Sequence, residues 1–331
     1  MTTPSKPPRG GWPRLWRSTW SRGGFLGLLT AGVGMLWAGG FRSRKAFAAW
    51  GNKLPPRTGR RVETDTPLAV VEGEDPAAAT RRAVEALGGI SRFVKSGDNV
   101  VVKPNIGWDR TPEQAANTNP QVVAALVELC RDAGARTVRV FDNACNDQRR
   151  TYASSGIREA AKAAGAMVYY VRKWGFKPGA FPEGSALGDW PVFKDAVECD
   201  CLINVPIAKH HGLSRLTLSI KNLMGVAGGF RGTMHFQLSQ KLAELTAFFR
   251  PDLTVVDAYR ILLRNGPTGG NLEDVALRKT VIASADPVLA DAYAATLFGL
   301  APADIGYIQA AAEAGLGRLD LDRVKPVKIK I

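Results

Sequence analysis

Asn99-Val100-Val101-Val102-Lys103-Pro104-Asn105 decides how this chain folds. An apolar run without polar alternation suits a strand buried on both faces. It stops abruptly in a lysine and an asparagine. The same pattern recurs outward from it. Val138–Phe141 runs into Asp142-Asn143, Leu202-Ile203 into Asn204-Val205-Pro206, and Leu253–Val256 into Asp257. Val281–Ala283 leads to Ser284-Ala285-Asp286-Pro287. Leu68–Val71 and Met167–Val171 are further strand candidates.

Helical patterns fill the gaps. Asp75-Pro76 supplies an N-cap and an N1 proline for a helix over 77–87, stopped by Gly88-Gly89. Asn119-Pro120 opens a second helix ending at Gly134, and Gly156–Ala164 forms a third. Asp286-Pro287 reads as the cap of a helix over 288–298. Strand–helix alternation predicts an α/β fold, a mostly parallel sheet flanked by helices. Residues 172–198 and 223–236 look irregular and are read as loops or a small inserted lobe.

In an open parallel sheet, ligands bind outside the carboxyl ends of the strands. The polar groups that end the runs are therefore expected to meet in one crevice. Asn and Asp also make turns and caps, and Asp286 is read that way. Lys103 is not, because lysine has no turn-forming preference. The densest polar cluster is Lys209-His210-His211, then Lys221-Asn222, then His235. It contains all three histidines of the chain within 26 residues. Lys103, Lys209, His211, Lys221 and His235 are the catalytic candidates. Asn105, Asp142, Asn204, Asn222 and Asp257 are the ligand-binding candidates. The lysines, with Arg215 and Arg231, suit an anionic ligand. Histidine moves protons near neutral pH, and His211, His235 and Asp142 are candidate ligands of a divalent metal. The spacing matches no zinc motif. Two glycine-rich stretches, 228–233 and 266–270, read equally as lids over a ligand or as ordinary turns.

The formal net charge of +14 is unevenly placed. Residues 1–48 hold eight Lys or Arg and no acid, leaving 36 basic against 30 acidic residues in the remainder. No dense basic stripe with interleaved aromatics follows, so nucleic acid is not an expected partner. Arg9, Arg14, Arg17 and Arg22 precede the apolar run Phe25–Phe41, and Ala46-Phe47-Ala48 fits a cleavage site. That run has 17 residues, short of the ~20 of a comfortable spanning helix. Residues 1–48 are expected to direct export to the periplasm, with an uncleaved membrane anchor as the alternative. Ser21-Arg22-Gly23-Gly24-Phe25-Leu26 resembles a twin-arginine signal, with Gly23 at the second arginine position. Residues 49–65 read as a polar linker and 66–331 as one α/β domain. The four cysteines, Cys130, Cys145, Cys199 and Cys201, include no C-x-x-C, so no iron–sulfur cluster is expected from this chain alone. No G-x-G-x-x-G, P-loop or G-x-S-x-G motif is present.

These landmarks resemble the domain-of-unknown-function family 362 over roughly residues 66–320. The matching pieces are Lys103-Pro104-Asn105, Asp142, Asn204-Val205-Pro206 with Lys209 and His211, and Thr217 through Lys221-Asn222 to Gly225. His235, Asp257, Gly266-Pro267 with Gly269, and Asp286-Pro287 with Asp291 complete them. The resemblance implies an association with iron–sulfur proteins, although this chain lacks their cysteine module. A looser similarity is to the nickel-pincer lactate racemase group, whose members hold an organometallic cofactor with lysine and histidine. Two readings of function stand open. One is an enzyme acting on a small anionic substrate, with or without a metal. The other is a non-catalytic periplasmic binding, cofactor-delivery or redox accessory protein that partners iron–sulfur proteins.

Overall fold

The computed structural model describes residues 53–60 and 62–331. Residues 1–48, expected to direct export or to anchor the chain, and the start of the expected linker lie outside the described residues. The strands and helices, in chain order, begin with β1 (Ala69–Glu72), α1 (Pro76–Ala86), β2 (Asn99–Pro104), α2 (Pro120–Asp132) and β3 (Thr137–Val140). Next come α3 (Gln148–Ser154), α4 (Ile157–Ala163), β4 (Met167–Val168), β5 (Phe176–Pro178), β6 (Pro191–Phe193) and α5 (Lys194–Val197). Then follow β7 (Cys201–Val205), β8 (Ile207–His211), β9 (Arg215–Thr217), α6 (Ser219–Asn222) and α7 (Leu238–Phe249). The chain ends with β10 (Leu253–Leu262), β11 (Val275–Ser284), α8 (Pro287–Thr296), α9 (Gly306–Glu313) and β12 (Val327–Lys330).

The main sheet runs β12-β1-β11-β10-β7-β2-β3-β4, with β8 and β9 branching from β10. Strands β4, β3, β2, β7 and β10 are mutually parallel. β11 is antiparallel to both β10 and β1. The fold is the expected α/β one, and β5–β6 form the small separate lobe as a two-stranded antiparallel sheet.

Period-two alternation explains the burial. Val101, Leu202, Val256 and Ile282 enter the core covered by α7, α8 and α9. Val100, Val102, Ile203, Val255 and Val281 enter the opposite core, under α1, α2 and α4. Helix starts are set where the sequence puts them. Asp75, Asn119 and Asp286 each cap a helix whose N1 residue is proline.

Two expectations are corrected. The antiparallel run of β11 sets Ser284 opposite Thr254, near the start of β10. Its carboxyl end therefore lies away from those of β2, β7 and β10, and four of the five runs, not five, share one rim. The stretch read as a linker is partly docked. Arg57 is buried and pairs with Asp252 at 2.5 Å, while Leu54 bridges to Gly179. A guanidinium so enclosed needs that carboxylate and the backbone carbonyls it also meets.

Candidate functional site

Lys103 and Asn204 are register partners on β2 and β7, so their side chains leave the sheet on one face. Lys103 is completely enclosed. Its Nζ pairs with Asp142 Oδ1 at 2.8 Å and donates to Asn222 Oδ1 at 3.0 Å and the Pro104 carbonyl at 2.8 Å. Burial pulls its pKa down, and the Asp142 charge opposes that. The other carboxylate oxygen of Asp142 accepts the Ile106 amide at 2.7 Å. This pair fits only because residue 225 is glycine. A Cβ there would lie 1.8 Å from Asp142 Oδ1 and 2.5 Å from Lys103 Nζ.

Lys209 and His211 are two apart on β8 and share a face, whereas His210 points the other way, where its Nδ1 accepts the Gly266 amide at 3.1 Å. Lys209 donates to Asn105 Oδ1 at 3.0 Å and to the Ala116 carbonyl. It has no carboxylate partner among the described residues. Burial, then the charges of Lys221 and Lys103, bring it down to about 7, against the pull of Cys145 and Asp142. Lys221, in α6, is also buried. Its Nζ meets Met224 Sδ at 3.2 Å and His235 Nε2 at 3.5 Å. Burial lowers it to about 8, with Arg231 adding to the effect and Cys145 opposing it.

The rings of His211 and His235 stack, centroids 5.5 Å apart and planes 22° from parallel. Nδ1 of His211 accepts the amides of Leu213 and Ser214, at 3.1 and 3.3 Å, so its proton sits on Nε2. His235 Nδ1 lies 3.1 Å from the Gly232 carbonyl, which can only accept. Its proton is therefore on Nδ1, leaving an Nε2 lone pair facing Lys221. Burial, more than the nearby Lys221, keeps both rings neutral, with His211 lowered to about 3.

The asparagines serve this cluster rather than lining it. Asn222 Nδ2 donates to Asn204 Oδ1 at 2.8 Å, and Asn105 Nδ2 donates to Asn222 Oδ1 at 3.0 Å. An amide chain thus joins Lys103 to Lys209. Asp257 bonds none of the clustered lysines, histidines or asparagines. Its oxygens accept the amides of Asn119 and Tyr259, at 2.7 and 3.0 Å, and burial raises its carboxyl to about 6. Arg215 pairs with Asp304 instead.

The expected metal trio is corrected. Asp142 is taken by Lys103 and the Ile106 amide, and His211 and His235 offer stacked faces rather than converging lone pairs. Among the described residues, no group of three or more His, Cys, Asp or Glu is placed to hold a metal ion. The glycine stretches are fastened rather than loose. Gly266 closes on His210, where a Cβ would lie 2.0 Å from the His210 carbonyl, and the Gly228 amide donates to the Pro191 carbonyl at 2.8 Å.

Sequence reasoning passed over Cys145. Its exposed thiol lies within electrostatic reach of Lys103, Lys209 and Lys221, and Arg231 approaches its sulfur at 4.0 Å. The signal was present: Cys145 is three residues past Asp142, on the loop that leaves β3.

The model of the domain of unknown function 362 (DUF362) matches residues 100–296, from the valines of β2 to the end of α8. The chain belongs to this family. All ten candidate residues fall inside that match. A thylakoid-associated protein of Synechocystis sp. is 29% identical over 248 residues, 72% of this DUF362 chain and 75% of that protein. Among solved structures, the lactate racemase apoprotein of Thermoanaerobacterium thermosaccharolyticum is similar at TM-score 0.44 and 10% identity. The match covers 71% of this chain and 59% of the racemase chain. A Thermotoga maritima protein from a structural genomics consortium gives TM-score 0.39 and 12% identity, covering 69% and 60%. This DUF362 member thus spans about three fifths of either solved chain.

Proposed function

We propose that this protein is an enzyme that holds a small anion against Lys209 and Lys221 and transfers a proton on it through His235 and His211. One observation carries the reading. Three buried lysines, Lys103, Lys209 and Lys221, stand beside a single paired carboxylate, Asp142, and burial lowers the pKa of all three. Buried charge without a partner costs several kcal/mol, roughly. A carboxylate or phosphate ester would supply the missing negative charge. Lys103, fixed by Asp142 and Asn222, positions the cluster, and Lys209 and Lys221 bind. His235 offers a lone pair at Nε2 that can take a proton, and neutral His211 an Nε2–H that can hydrogen-bond the negative charge that develops. Exposed Cys145, Gly232 and Thr233 border the solvent side.

The test is deuterium exchange. The purified chain is incubated in D2O with a panel of small hydroxy, oxo and phospho acids, and exchange is followed by NMR. At least one acid is expected to exchange. His235→Asn should slow exchange about 100-fold with binding retained, and Lys209→Met should weaken binding at least tenfold. Anion binding that is indifferent to both Lys209→Met and Lys221→Met overturns the reading. Tight binding with slow release and no exchange assigns a binding or delivery role instead. The proposal extends to location. The basic, apolar and small-residue order of residues 1–48 supports export of the domain, which fractionation of cells expressing the full chain tests.

A further inference from the structure

A cleft among the described residues is lined by none of the three clustered lysines. It has a volume of about 660 Å³ and lies beyond the carboxyl end of β4, between that edge and the β5–β6 lobe. Small-molecule sites fall in the range of about 300–1,000 Å³. Two properties of its lining go together. The first is aromatic. Tyr169 and Tyr170, which follow β4, line it with Trp174. Trp174 is 82% exposed, an unusual position for a large flat side chain. The turn that carries it is closed against the lobe. Gly175 packs so tightly on Phe193 that a Cβ would sit 2.4 Å from the ring. The indole is thereby held at the cleft rather than folded into the core.

The second property is charge. Lys162, Arg172 and Lys177 line the cleft, and none has a carboxylate partner among the described residues. Arg158 and Lys194 also line it but are engaged by Glu159 and Glu198, at 2.7 and 3.3 Å. The one lining carboxylate, Asp195, accepts the Tyr169 hydroxyl. Three free cations around an aromatic wall select a planar ring that carries more than one negative charge.

We propose that this cleft binds a nucleotide, with its base against Trp174 and its phosphates among Lys162, Arg172 and Lys177. Stacking on an aromatic face tolerates any base, and guanidinium and ammonium groups hold phosphate without a glycine-rich loop. The cleft also touches the lysine cluster through one residue. Tyr152 lines its floor, and the Tyr152 hydroxyl bonds the main chain of Asp142 at 2.7 Å.

Isothermal titration calorimetry of the full chain with adenosine diphosphate tests this, with adenosine and pyrophosphate as separate arms. Saturable binding of the diphosphate is expected, at least tenfold tighter than either fragment. Trp174→Ala and Arg172→Glu should each weaken it about tenfold, and Lys209→Met should leave it unchanged. Both variants are at exposed positions, so loss of folding does not confound them. Absence of saturation overturns the proposal. So does binding that follows Lys209→Met and ignores Trp174→Ala, or a fragment that binds as tightly as the diphosphate.

Discussion

His211 and His235 stack face to face with their protons on opposite kinds of nitrogen, Nε2 in one ring and Nδ1 in the other. The backbone imposes this: amides point at one ring and a carbonyl at the other. Nitrogen-detected NMR of the imidazoles should show the two tautomers as separate patterns. His211 should stay neutral as pH falls through 5 and titrate near 3. A His211 that protonates between pH 6 and 7 would contradict its burial.

Lys209 and Lys221 set the pH dependence of stability. Both are lowered on folding, to about 7 and about 8, from an ordinary value of 10.5. Between those values the unfolded chain holds the proton and the folded chain does not, so stability rises with pH. Denaturant titrations at pH 8 and pH 9.5 should show a gain on the order of 1 kcal/mol per pH unit for each lysine. Lys209→Met should flatten the slope. Asp257, raised to about 6, and Asp291, raised to about 7, act below this window and with opposite sign.

Gly225 tolerates no side chain. Gly225→Ala should cost about 1–3 kcal/mol by overpacking and part Lys103 from Asp142. Gly212→Ala, where nothing lies within 4 Å, is the matched control and should change stability by less than about 0.5 kcal/mol. Thermal unfolding of the two variants decides it. Equal losses would show that crowding at Gly225 does not govern the pair.

The Lys103–Asp142 pair should behave as one unit. Lys103→Met and Asp142→Asn each leave a buried group without its partner and should cost about 3 kcal/mol. The double variant should cost clearly less than the sum, with a coupling of about 1–3 kcal/mol in a double-mutant cycle. Strict additivity would mean that the 2.8 Å contact contributes nothing.

Cys145 should be the only thiol open to alkylation in the folded chain. Cys130, Cys199 and Cys201 are buried, and burial pushes all three thiols up. Intact mass after iodoacetate treatment should show one adduct. The nearby ammonium groups should favour the anionic reagent over neutral iodoacetamide, and Lys209→Met should reduce that preference. Two or more adducts under native conditions would contradict the burial of the others.

The strand–helix order and the helix caps were legible because they depend on local signals: valine runs, Asp-Pro and Asn-Pro pairs, glycine stops. The direction of β11 was not. An apolar run reads the same either way, and only its pairing with β1 and β10 fixes its sense. The lysines stood out because no turn explains Lys103 and no solvated face explains Lys221. The roles of the asparagines were hidden, since an amide reads alike whether it faces a ligand or bridges two lysines. Strand β8 was missed as well. Pro206 separates it from β7, and its polar residues mask the alternation that parts His210 from His211.

Three buried lysines beside one carboxylate form an electrostatic arch that a bound anion would complete. An anion that completes it should bind the native chain and not the unfolded one. At a concentration 100 times its dissociation constant, such a ligand adds about 2.7 kcal/mol to the folded state. The melting temperature thus becomes a detector. Libraries of small anions screened by thermal shift should single out the compound that Lys209 and Lys221 hold.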